Sequence, residues 1–309
     1  MKDHEHPKYA FFQGCIIEIS EAKIDIRTNA LQYGTATFEG IRSYWNEKEK
    51  CSYVFRIEDH YKRLFRNANI LMIKIKYTVE ELISITLDLL KKESYEEDAY
   101  IRPFAYNSSL KIGPKLCDMQ HDLFIYSIQL GEYLDINKPI NVCISSWTRI
   151  PDNCIPPRAK ISGSYINSAL QKTEALLNGY DEAIVLTSNG QHVSEGSAMN
   201  LFMVKDSQLV TPPVVDDILE GITRDTIIKI VKDKLGIETQ ERSIDRTELY
   251  TADELFFCGT GAQVSAIGSV DKRPVGNGDV GKLTKKIQDL YFKVVRNELE
   301  EYRFWCKRI

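Results

Sequence analysis

The chain has 309 residues, of which 43% are hydrophobic and 27% are charged, and its formal net charge is −4 at pH 7. This length predicts two domains or one large α/β domain, and the composition is typical of a globular protein. The slightly acidic balance argues against a nucleic-acid binder, because such proteins carry a basic face.

The first part of the chain, residues 1–130, is predicted to form a small α+β domain. Apolar residues at helical spacing predict a helix from Ile57 to Met72, and Thr78 with Glu81 forms a capping box that predicts the start of another. Strands are predicted at Tyr9–Phe12, Cys15–Ile19, Thr37–Trp45, Ser52–Arg56, Ala99–Tyr106 and Asp122–Leu130.

A polar stretch, residues 131–139, ends at Pro139 and is predicted to be an interdomain linker. The second domain is then expected to span residues 140–309. Its strands are predicted at Ile140–Trp147, Glu182–Thr187, Asn200–Lys205 and Glu254–Cys258. Its helices are predicted at Ser164–Leu177, with Ile166, Ala169, Leu170, Thr173 and Leu177 on one face, at Ile222–Leu235, and late in the chain around Lys282–Lys286.

The cysteines predict neither disulfides nor zinc binding. There are 7 of them, irregularly spaced, and no two form a C-x-x-C pair, which fits a reducing compartment. No secretory signal follows Met1, and no apolar run reaches the roughly 18 residues that a membrane span requires. We therefore expect a cytoplasmic protein with no metal site, no membrane segment and no nucleic-acid partner.

Short motifs with a known mechanism are absent from the sequence, and Gly259–Gly261 matches a dinucleotide loop only in part. Five longer segments are more informative. They are Tyr33–Arg42; Phe55–Arg56 with His60 and Arg63–Leu64; Tyr100–Pro103; Ala159–Lys160 with Ser194–Gly196 and Asn200–Phe202; and Leu219–Asp225 with Cys258–Thr260. In order and spacing they resemble the fold-type IV pyridoxal-phosphate enzymes, specifically the branched-chain amino acid aminotransferases, over nearly the whole chain.

This resemblance implies the fold class and the activity. The fold would be a two-domain α/β (α+β) fold with a small α+β domain and a larger, mixed, β-barrel-like domain. The activity would be ping-pong amino transfer between leucine, isoleucine or valine and 2-oxoglutarate, with pyridoxal 5'-phosphate as cofactor. The resemblance also implies a homodimer or a higher homo-oligomer. A loop of one subunit would reach the other's site, and we assign it to Ile112–Pro114.

A transaminase needs a lysine amine that holds the cofactor as a Schiff base and then moves a proton between carbon atoms. The resemblance assigns this catalytic role to Lys160. Read without the resemblance, a lysine is most often a solvated surface residue. The neighbours of Lys160, among them Ala159, Ile161 and Gly163, are small or apolar and favour the functional interpretation.

The resemblance implies further cofactor contacts, each with a structural alternative such as a surface ion pair, a capping turn or a core position. Glu195 would hold the protonated pyridine nitrogen, Tyr165 the phenolic oxygen, and Leu219 would pack on the ring face. A phosphate needs cations and N–H donors, which a helix N-terminus offers. The implied phosphate residues are Arg56, Gly221, Ile222, Thr223 and Thr260.

The substrate pocket must accept a branched apolar side chain and then the charged side chain of glutamate. The resemblance implies pocket walls at Tyr33, Phe38 and Tyr133, and it places the second carboxylate at Tyr100 and Arg102. An arginine within an apolar strand segment is unusual without a partner, which supports a function for Arg102. The backbone N–H groups of Thr260 and Gly261 would hold the α-carboxylate.

The sequence departs from the family at Leu130, where many members carry tryptophan, so side-chain selectivity stays open. Glu39 and Arg42 receive no role, and structural ion pairing is expected for both. Four alternatives remain: a D-amino-acid aminotransferase, an aminodeoxychorismate lyase, a non-enzymatic pyridoxal-phosphate-binding protein, and a nicotinamide-dependent oxidoreductase that rests only on Gly259–Gly261.

Overall fold

A computed structural model describes residues 6–131 and 138–309 of the chain. These residues form two compact units. The first unit contains the described part of Met1–Gly131 together with Ala159–Gly163 and Lys293–Ile309, and the second contains the described parts of Glu132–Arg158 and Ser164–Phe292. Most of the predicted linker, residues 131–139, lies outside the described residues. The predicted wall residue Tyr133 also lies outside them.

The strands, in chain order, are β1 Tyr9–Phe12, β2 Cys15–Glu18, β3 Ala36–Phe38, β4 Ile41–Asn46, β5 Cys51–Phe55, β6 Ala99–Asn107, β7 His121–Gln129, β8 Ile140–Thr148, β9 Glu182–Leu186, β10 Val193–Gly196, β11 Asn200–Lys205, β12 Gln208–Thr211, β13 Thr239–Glu241, β14 Glu254–Gly259, β15 Gln263–Val270, β16 Arg273–Pro274 and β17 Cys306–Arg308. The α-helices are α1 Asn29–Tyr33, α2 Ile57–Ile70, α3 Val79–Glu93, α4 Tyr165–Leu177, α5 Ile222–Leu235 and α6 Lys282–Val295. Short 3-10 helices lie at Ile19–Glu21, Ser162–Ser164, Arg246–Tyr250 and Glu300–Trp305.

The first unit contains an antiparallel sheet of eight strands among the described residues, in the order β17-β5-β4-β6-β7-β1-β2, with β3 paired to β6. Helices α2 and α3 bury apolar side chains, including Tyr61, Leu64, Leu82 and Leu89, in the core of this unit. The predicted capping box is present, since Thr78 accepts from the backbone of Glu81 and Glu81 accepts in return from that of Thr78. Local sequence patterns therefore located these elements well.

The prediction of one continuous strand, Thr37–Trp45, is wrong, because β3 and β4 are separate strands with Glu39 and Gly40 between them. The Glu39 side chain is fully buried among residues of α2, which draws the chain out of a straight strand. Gly40 is also constrained, since a Cβ atom there would lie 2.2 Å from Tyr100 Oη. The break is thus caused by tertiary contacts that alternation along the sequence does not reveal.

The second unit contains a mixed sheet of nine strands among the described residues, in the order β10-β9-β8-β15-β14-β11-β12-β13, with β16 beside β15. Strand β8 pairs in parallel with both β9 and β15, whereas β14 pairs in antiparallel with β11 and β15. The sequence analysis did not predict β15, because Ser265, Gly268 and Ser269 interrupt its apolar pattern. Strand β15 lies between β8 and β14. Its backbone N–H and C=O groups therefore have hydrogen-bond partners on both sides, although its sequence is a weak strand pattern.

Helix α4 forms where predicted, but its apolar face is the exposed one. Ile166 is 69% exposed and Leu177 82% exposed, while the buried residues of the helix are Gln171 and Ala175. The helix packs against β8 and β9 through this narrower, mixed face. The apolar stripe therefore has no cover from the described residues of its own unit.

Two stretches that the sequence analysis assigned to the second domain group with the first unit instead. Ile161 of Ala159–Gly163 forms a bridge with Thr37, and Lys293–Ile309 contributes β17, which pairs with β5. Backbone pairing between residues far apart in sequence explains this grouping. Within the described residues, every helix is too short or too polar to cross a lipid bilayer.

Candidate active site

Phe38 ends β3, and its buried ring is contacted by two cationic side chains of the first unit. Lys160 Nζ lies 4.9 Å from the ring centroid and Arg102 Cζ lies 4.4 Å from it. Both distances fall within the roughly 6 Å over which a ring quadrupole attracts a cation. Tertiary structure thus brings together three residues that the sequence analysis assigned to catalysis and substrate binding.

The backbone of Lys160 is held by the residues around Phe38. The carbonyl oxygen of Lys160 accepts hydrogen bonds from Phe38 N and from Thr37 Oγ1, both at 3.1 Å. Gly34 and Gly163 pack backbone to backbone nearby, and a Cβ atom on Gly34 would lie 2.6 Å from Gly163 Cα. The sequence analysis missed Thr37, whose side chain helps to set the position of the lysine.

Tyr100 and Arg102 are two residues apart on β6, so their side chains project to the same face. Arg102 Nη2 donates to Tyr100 Oη at 2.8 Å, and the Arg102 guanidinium also lies 5.2 Å from the Tyr100 ring centroid. The guanidinium is therefore oriented by two aromatic side chains. A planar group held in this way suits a carboxylate partner, which takes two parallel hydrogen bonds.

Arg56 lies at the N-terminus of α2 and is buried. Its Nε lies 2.6 Å from Asp59 Oδ2, and its guanidinium lies 4.9 Å from the Trp305 ring centroid. Its own φ of 48° is left-handed, an uncommon conformation for a non-glycine residue. Asp59 and Trp305, which the sequence analysis did not identify, therefore fix the direction of the predicted phosphate ligand.

Tyr33 is half exposed and is tied to the predicted intersubunit loop. Its Oη accepts a hydrogen bond from Gly113 N at 3.1 Å. The buried Asn29 donates from Nδ2 to the carbonyl oxygens of Lys111 and Gly113, each also at 3.1 Å. Ile112 at the tip of this loop is 89% exposed. The structure thus connects Tyr33 to the loop rather than to Phe38.

In the second unit, Glu195 is a buried carboxylate with several partners. Arg149 Nη2 lies 2.8 Å from Oε1, while Oε2 accepts from Asn200 Nδ2 at 2.9 Å and from Leu219 N at 3.2 Å. The burial of Glu195 therefore excludes the structural alternative of a surface ion pair. Arg149 and Asn200 were missed as site residues, and an arginine directly after an apolar strand was the only signal for the former.

Asn200 also links Glu195 to the turn that precedes α5. Its Nδ2 donates to Leu219 O at 2.9 Å, and a Cβ atom on Gly221 would lie only 1.9 Å from Asn200 Oδ1. Glycine is therefore required at position 221 by close packing, while its φ of −71° is ordinary. Glu195, Asn200, Leu219 and Gly221 form one connected group.

The remaining predicted residues of the second unit lie at the ends of elements. Gly221 is the N-cap of α5, and Ile222 and Thr223 are buried in its first turn. N–H groups at such a helix start, together with its dipole, favour an anion. Thr260 and Gly261 follow β14 and are half buried, and Tyr165 is the first residue of α4.

Glu39 and Arg42 both form the ion pairs that were expected of them. Arg63 Nε lies 2.7 Å from Glu39 Oε1. Arg42 Nη2 lies 3.9 Å from Asp98 Oδ2 and donates to Leu130 O at 2.8 Å. Both pairs lie in the first unit, and only the Glu39 pair adjoins Phe38.

The sequence of the chain is similar to those of a known protein family. The sequence profile of the family described as "Amino-transferase class IV" matches residues 36–270. An Aquifex aeolicus protein named "Probable branched-chain-amino-acid aminotransferase" is 49% identical over 297 residues, which are 96% of this chain and 95% of that protein.

Two solved structures are similar over nearly their full length. One is the branched-chain amino acid aminotransferase of Thermobaculum terrenum in its PLP form, with 39% identity, a TM-score of 0.94, and coverage of 98% of this chain and 99% of that chain. The other is the branched-chain aminotransferase of the thermophilic archaeon Thermoproteus uzoniensis with norvaline, with 40% identity, a TM-score of 0.93, and coverage of 98% of this chain and 99% of that chain. These matches confirm the resemblance and the fold class predicted from the sequence.

Proposed function

The chain belongs to the class IV amino-transferases, and on that premise we propose that it exchanges the amino group of L-leucine, L-isoleucine or L-valine with 2-oxoglutarate. Enzymes of this family depend on pyridoxal phosphate. The observation that carries the proposal is the pair of cations, Lys160 and Arg102, on the buried ring of Phe38. This arrangement offers an apolar wall, a reactive amine and a carboxylate partner within one unit.

A dual-substrate site must bind a hydrocarbon side chain and a charged one in turn. The ring of Phe38 supplies an apolar surface for the branched side chain. The guanidinium of Arg102, oriented by Tyr100, supplies a charge-assisted partner for the second carboxylate of glutamate or 2-oxoglutarate. Such a hydrogen bond to a charged group contributes about 1.5–3 kcal/mol. In this proposal Tyr33 and Tyr133 keep the wall roles that the sequence predicts, and Thr260 and Gly261 take the α-carboxylate.

Residues of each unit, considered separately, fit part of the chemistry of pyridoxal phosphate. Glu195 is a buried carboxylate whose negative charge is stabilised by Arg149, which suits a protonated ring nitrogen. Arg56 and the start of α5 at Gly221–Thr223 suit a phosphate dianion. Tyr165 is assigned to the phenolic oxygen, Leu219 to the ring face and Thr260 to the phosphate. When bound, the cofactor supplies an electron sink that stabilises negative charge on the substrate α-carbon.

Within that scheme each residue has its own task. The amine of Lys160 would hold the cofactor covalently, and once the substrate amine has displaced it, the free amine would take the proton from the substrate α-carbon. Its placement over Phe38, with its carbonyl oxygen bonded by Thr37 and Phe38, limits the positions that the amine can reach. Glu195 keeps a proton on the ring nitrogen, and Arg149 and Asn200 keep the Glu195 carboxylate in position.

The test is an amino-transfer assay with purified protein and pyridoxal phosphate. Isoleucine with 2-oxoglutarate should yield glutamate, and leucine and valine should do the same. Turnover of D-alanine without turnover of isoleucine would make the chain a D-amino-acid aminotransferase, and turnover of aminodeoxychorismate would make it a lyase. Cofactor binding with no amino transfer to any oxo acid would make it a carrier.

The Arg102→Met variant tests the observation on which the proposal rests. It should raise KM for 2-oxoglutarate about 10- to 100-fold, because one charged partner is lost, and should leave KM for isoleucine within about twofold. Arg27→Met is a matched control, since Arg27 is exposed and pairs only locally with Asp25. Equal changes in both KM values would remove Arg102 from carboxylate recognition.

The proposal includes a homodimer or higher homo-oligomer in the cytoplasm. The apolar face of α4, which contains Ile166, Leu170 and Leu177, and the exposed Ile112 support it, since monomers rarely expose large apolar patches. Light scattering coupled to size-exclusion chromatography should give at least twice the chain mass. A single-chain mass at micromolar concentration would contradict the assembly.

A further inference from the structure

A buried ion cluster, consisting of Glu39, His60 and Arg63, joins the corner after β3 to helix α2. Arg63 Nε and Nη2 lie 2.7 and 2.8 Å from the two carboxylate oxygens of Glu39. His60 Nδ1 lies 2.8 Å from Glu39 Oε2. All three side chains are almost completely buried. The geometry is bidentate and therefore rigid.

The charge of each group in this cluster follows from its burial and its neighbours. Burial opposes ionisation of Glu39, but Arg63 and His60 outweigh it and hold the pKa of that carboxyl well below its usual range. Burial lowers the pKa of His60 despite the neighbouring Glu39 carboxylate. Near neutral pH the cluster therefore contains one anion, one cation and a neutral imidazole whose Nδ1–H donates to Glu39.

The cluster lies beside two predicted site residues, Phe38 and Arg56. Glu39 directly follows Phe38, and its backbone N donates to Pro103 O at 2.9 Å. His60 N donates to Arg56 O at 3.1 Å, so one turn of helix separates the cluster from the predicted phosphate ligand. The bonds to α2 therefore anchor the residue that directly follows Phe38.

Strand pairing restrains the end of β3 from the side of β6. Phe38 is the last residue of β3, and its register partner is Phe104 on β6. Beyond it the chain turns at Glu39 and Gly40 into β4. The bidentate bond from Glu39 to Arg63 and the bond to His60 restrain this corner from the side of α2.

We propose that Glu39, His60 and Arg63 are positioning residues that hold the Phe38 ring under the Arg102 guanidinium and so set the affinity for a substrate with a second carboxylate. This inference rests on the proposed function. Arg102 is 4.4 Å from the Phe38 ring centroid, so a shift of Phe38 removes one of the two aromatic contacts that orient Arg102. An uncharged acceptor side chain gains nothing from Arg102 and is insensitive to that orientation.

The experiment compares two acceptors with isoleucine as donor: 2-oxoglutarate, which has a second carboxylate, and 2-oxohexanoate, which has an apolar side chain. His60→Leu removes one bond to Glu39 and leaves the Arg63 pair in place. It should raise KM for 2-oxoglutarate about tenfold and KM for 2-oxohexanoate less than about twofold. His60→Asn, whose amide can replace the Nδ1–H donor, should restore the native ratio.

A second variant, Glu39→Gln with Arg63→Gln, removes both buried charges together and should give a larger split in the same direction. Leu64→Ala is the matched control, because Leu64 is a fully buried apolar residue of α2 that carries no polar group. It should lower Tm without separating the two KM values. Equal KM changes in His60→Leu, or a split in Leu64→Ala, would make the cluster purely structural.

Calorimetric titration with glutarate and with hexanoate provides a readout without turnover. His60→Leu should weaken glutarate binding about tenfold and leave hexanoate binding unchanged. If the native protein transfers no amino group but still prefers glutarate, and His60→Leu abolishes that preference, the proposed function fails and the positioning role stands. If native transfer occurs and His60→Leu shows no selective loss, only the positioning role fails.

Discussion

Arg149 Nη2 lies 2.8 Å from Glu195 Oε1, and both side chains are largely buried in the second unit. Arg149 Nε also donates to Asp217 O at 3.3 Å, so the guanidinium is bound on two sides. A buried carboxylate without a charged partner is costly, and Arg149 offsets part of that cost. This pair explains how a glutamate can be buried at position 195.

The variant Arg149→Met should lower the free energy of unfolding by about 3–5 kcal/mol, because it leaves the Glu195 charge buried without its partner. Urea unfolding followed by circular dichroism measures this change. Arg246→Met is the control, since Arg246 is half exposed and its ion pair with Asp271 spans 3.6 Å. We expect less than about 1 kcal/mol there. A loss of similar size in both variants would contradict the assigned importance of Arg149.

The variant Lys160→Ala should lose covalent attachment of the cofactor. Native protein treated with pyridoxal phosphate and borohydride should carry the reduced cofactor on the peptide that contains Lys160, because an amine is the group that bonds to an aldehyde. Peptide mass spectrometry detects the label. Lys285→Ala, which removes an exposed lysine paired with Asp289, should keep full labelling. Labelling that persists at full yield in Lys160→Ala would assign the attachment to another amine.

Stability should fall below pH 6.5 partly because of His60. Burial lowers the pKa of His60 in the folded protein, so the unfolded chain takes up this proton first. The contribution of His60 is therefore complete above its ordinary pKa of 6.5 and is lost as the pH falls toward the folded pKa. The slope can reach about 1.4 kcal/mol per pH unit for one proton.

Urea unfolding of the native protein and of His60→Asn between about pH 7.5 and pH 5 tests this expectation. The asparagine variant keeps a donor for Glu39 but does not titrate, so the native protein should lose more stability than the variant as the pH falls. Parallel curves across this range would mean that His60 contributes nothing to acid sensitivity.

The variant Gly221→Ala should destabilise the second unit by about 1–3 kcal/mol, because overpacking forces neighbouring groups to move. The added Cβ would lie 1.9 Å from Asn200 Oδ1, and Asn200 is held by Glu195 and Leu219. Gly261→Ala is the control for stability, since a Cβ there meets no atom within 4 Å. Thermal unfolding should separate the two variants, and equal Tm values would disprove the packing argument.

Much of the local structure was predictable from short-range patterns. Helix α5 begins at Ile222 and ends at Leu235, as its apolar spacing indicates, and the first two predicted strands are present as the antiparallel pair β1 and β2. The division of Thr37–Trp45 into two strands was not predictable, because it depends on a side chain buried against a helix that follows later in the sequence. Strand β15 was missed because polar residues and a glycine interrupt its apolar pattern, and its stability comes from pairing with two flanking strands.

The sequence by itself determined the family, the location of most helices and the identity of the chemical groups, because propensity, capping and ordered motifs depend on neighbours along the chain. Only the tertiary structure decided that Lys160 and Arg102 lie over one aromatic ring and that Arg149 faces Glu195. Contacts of this kind depend on strand register and on the packing of distant segments, and no local pattern encodes either of them.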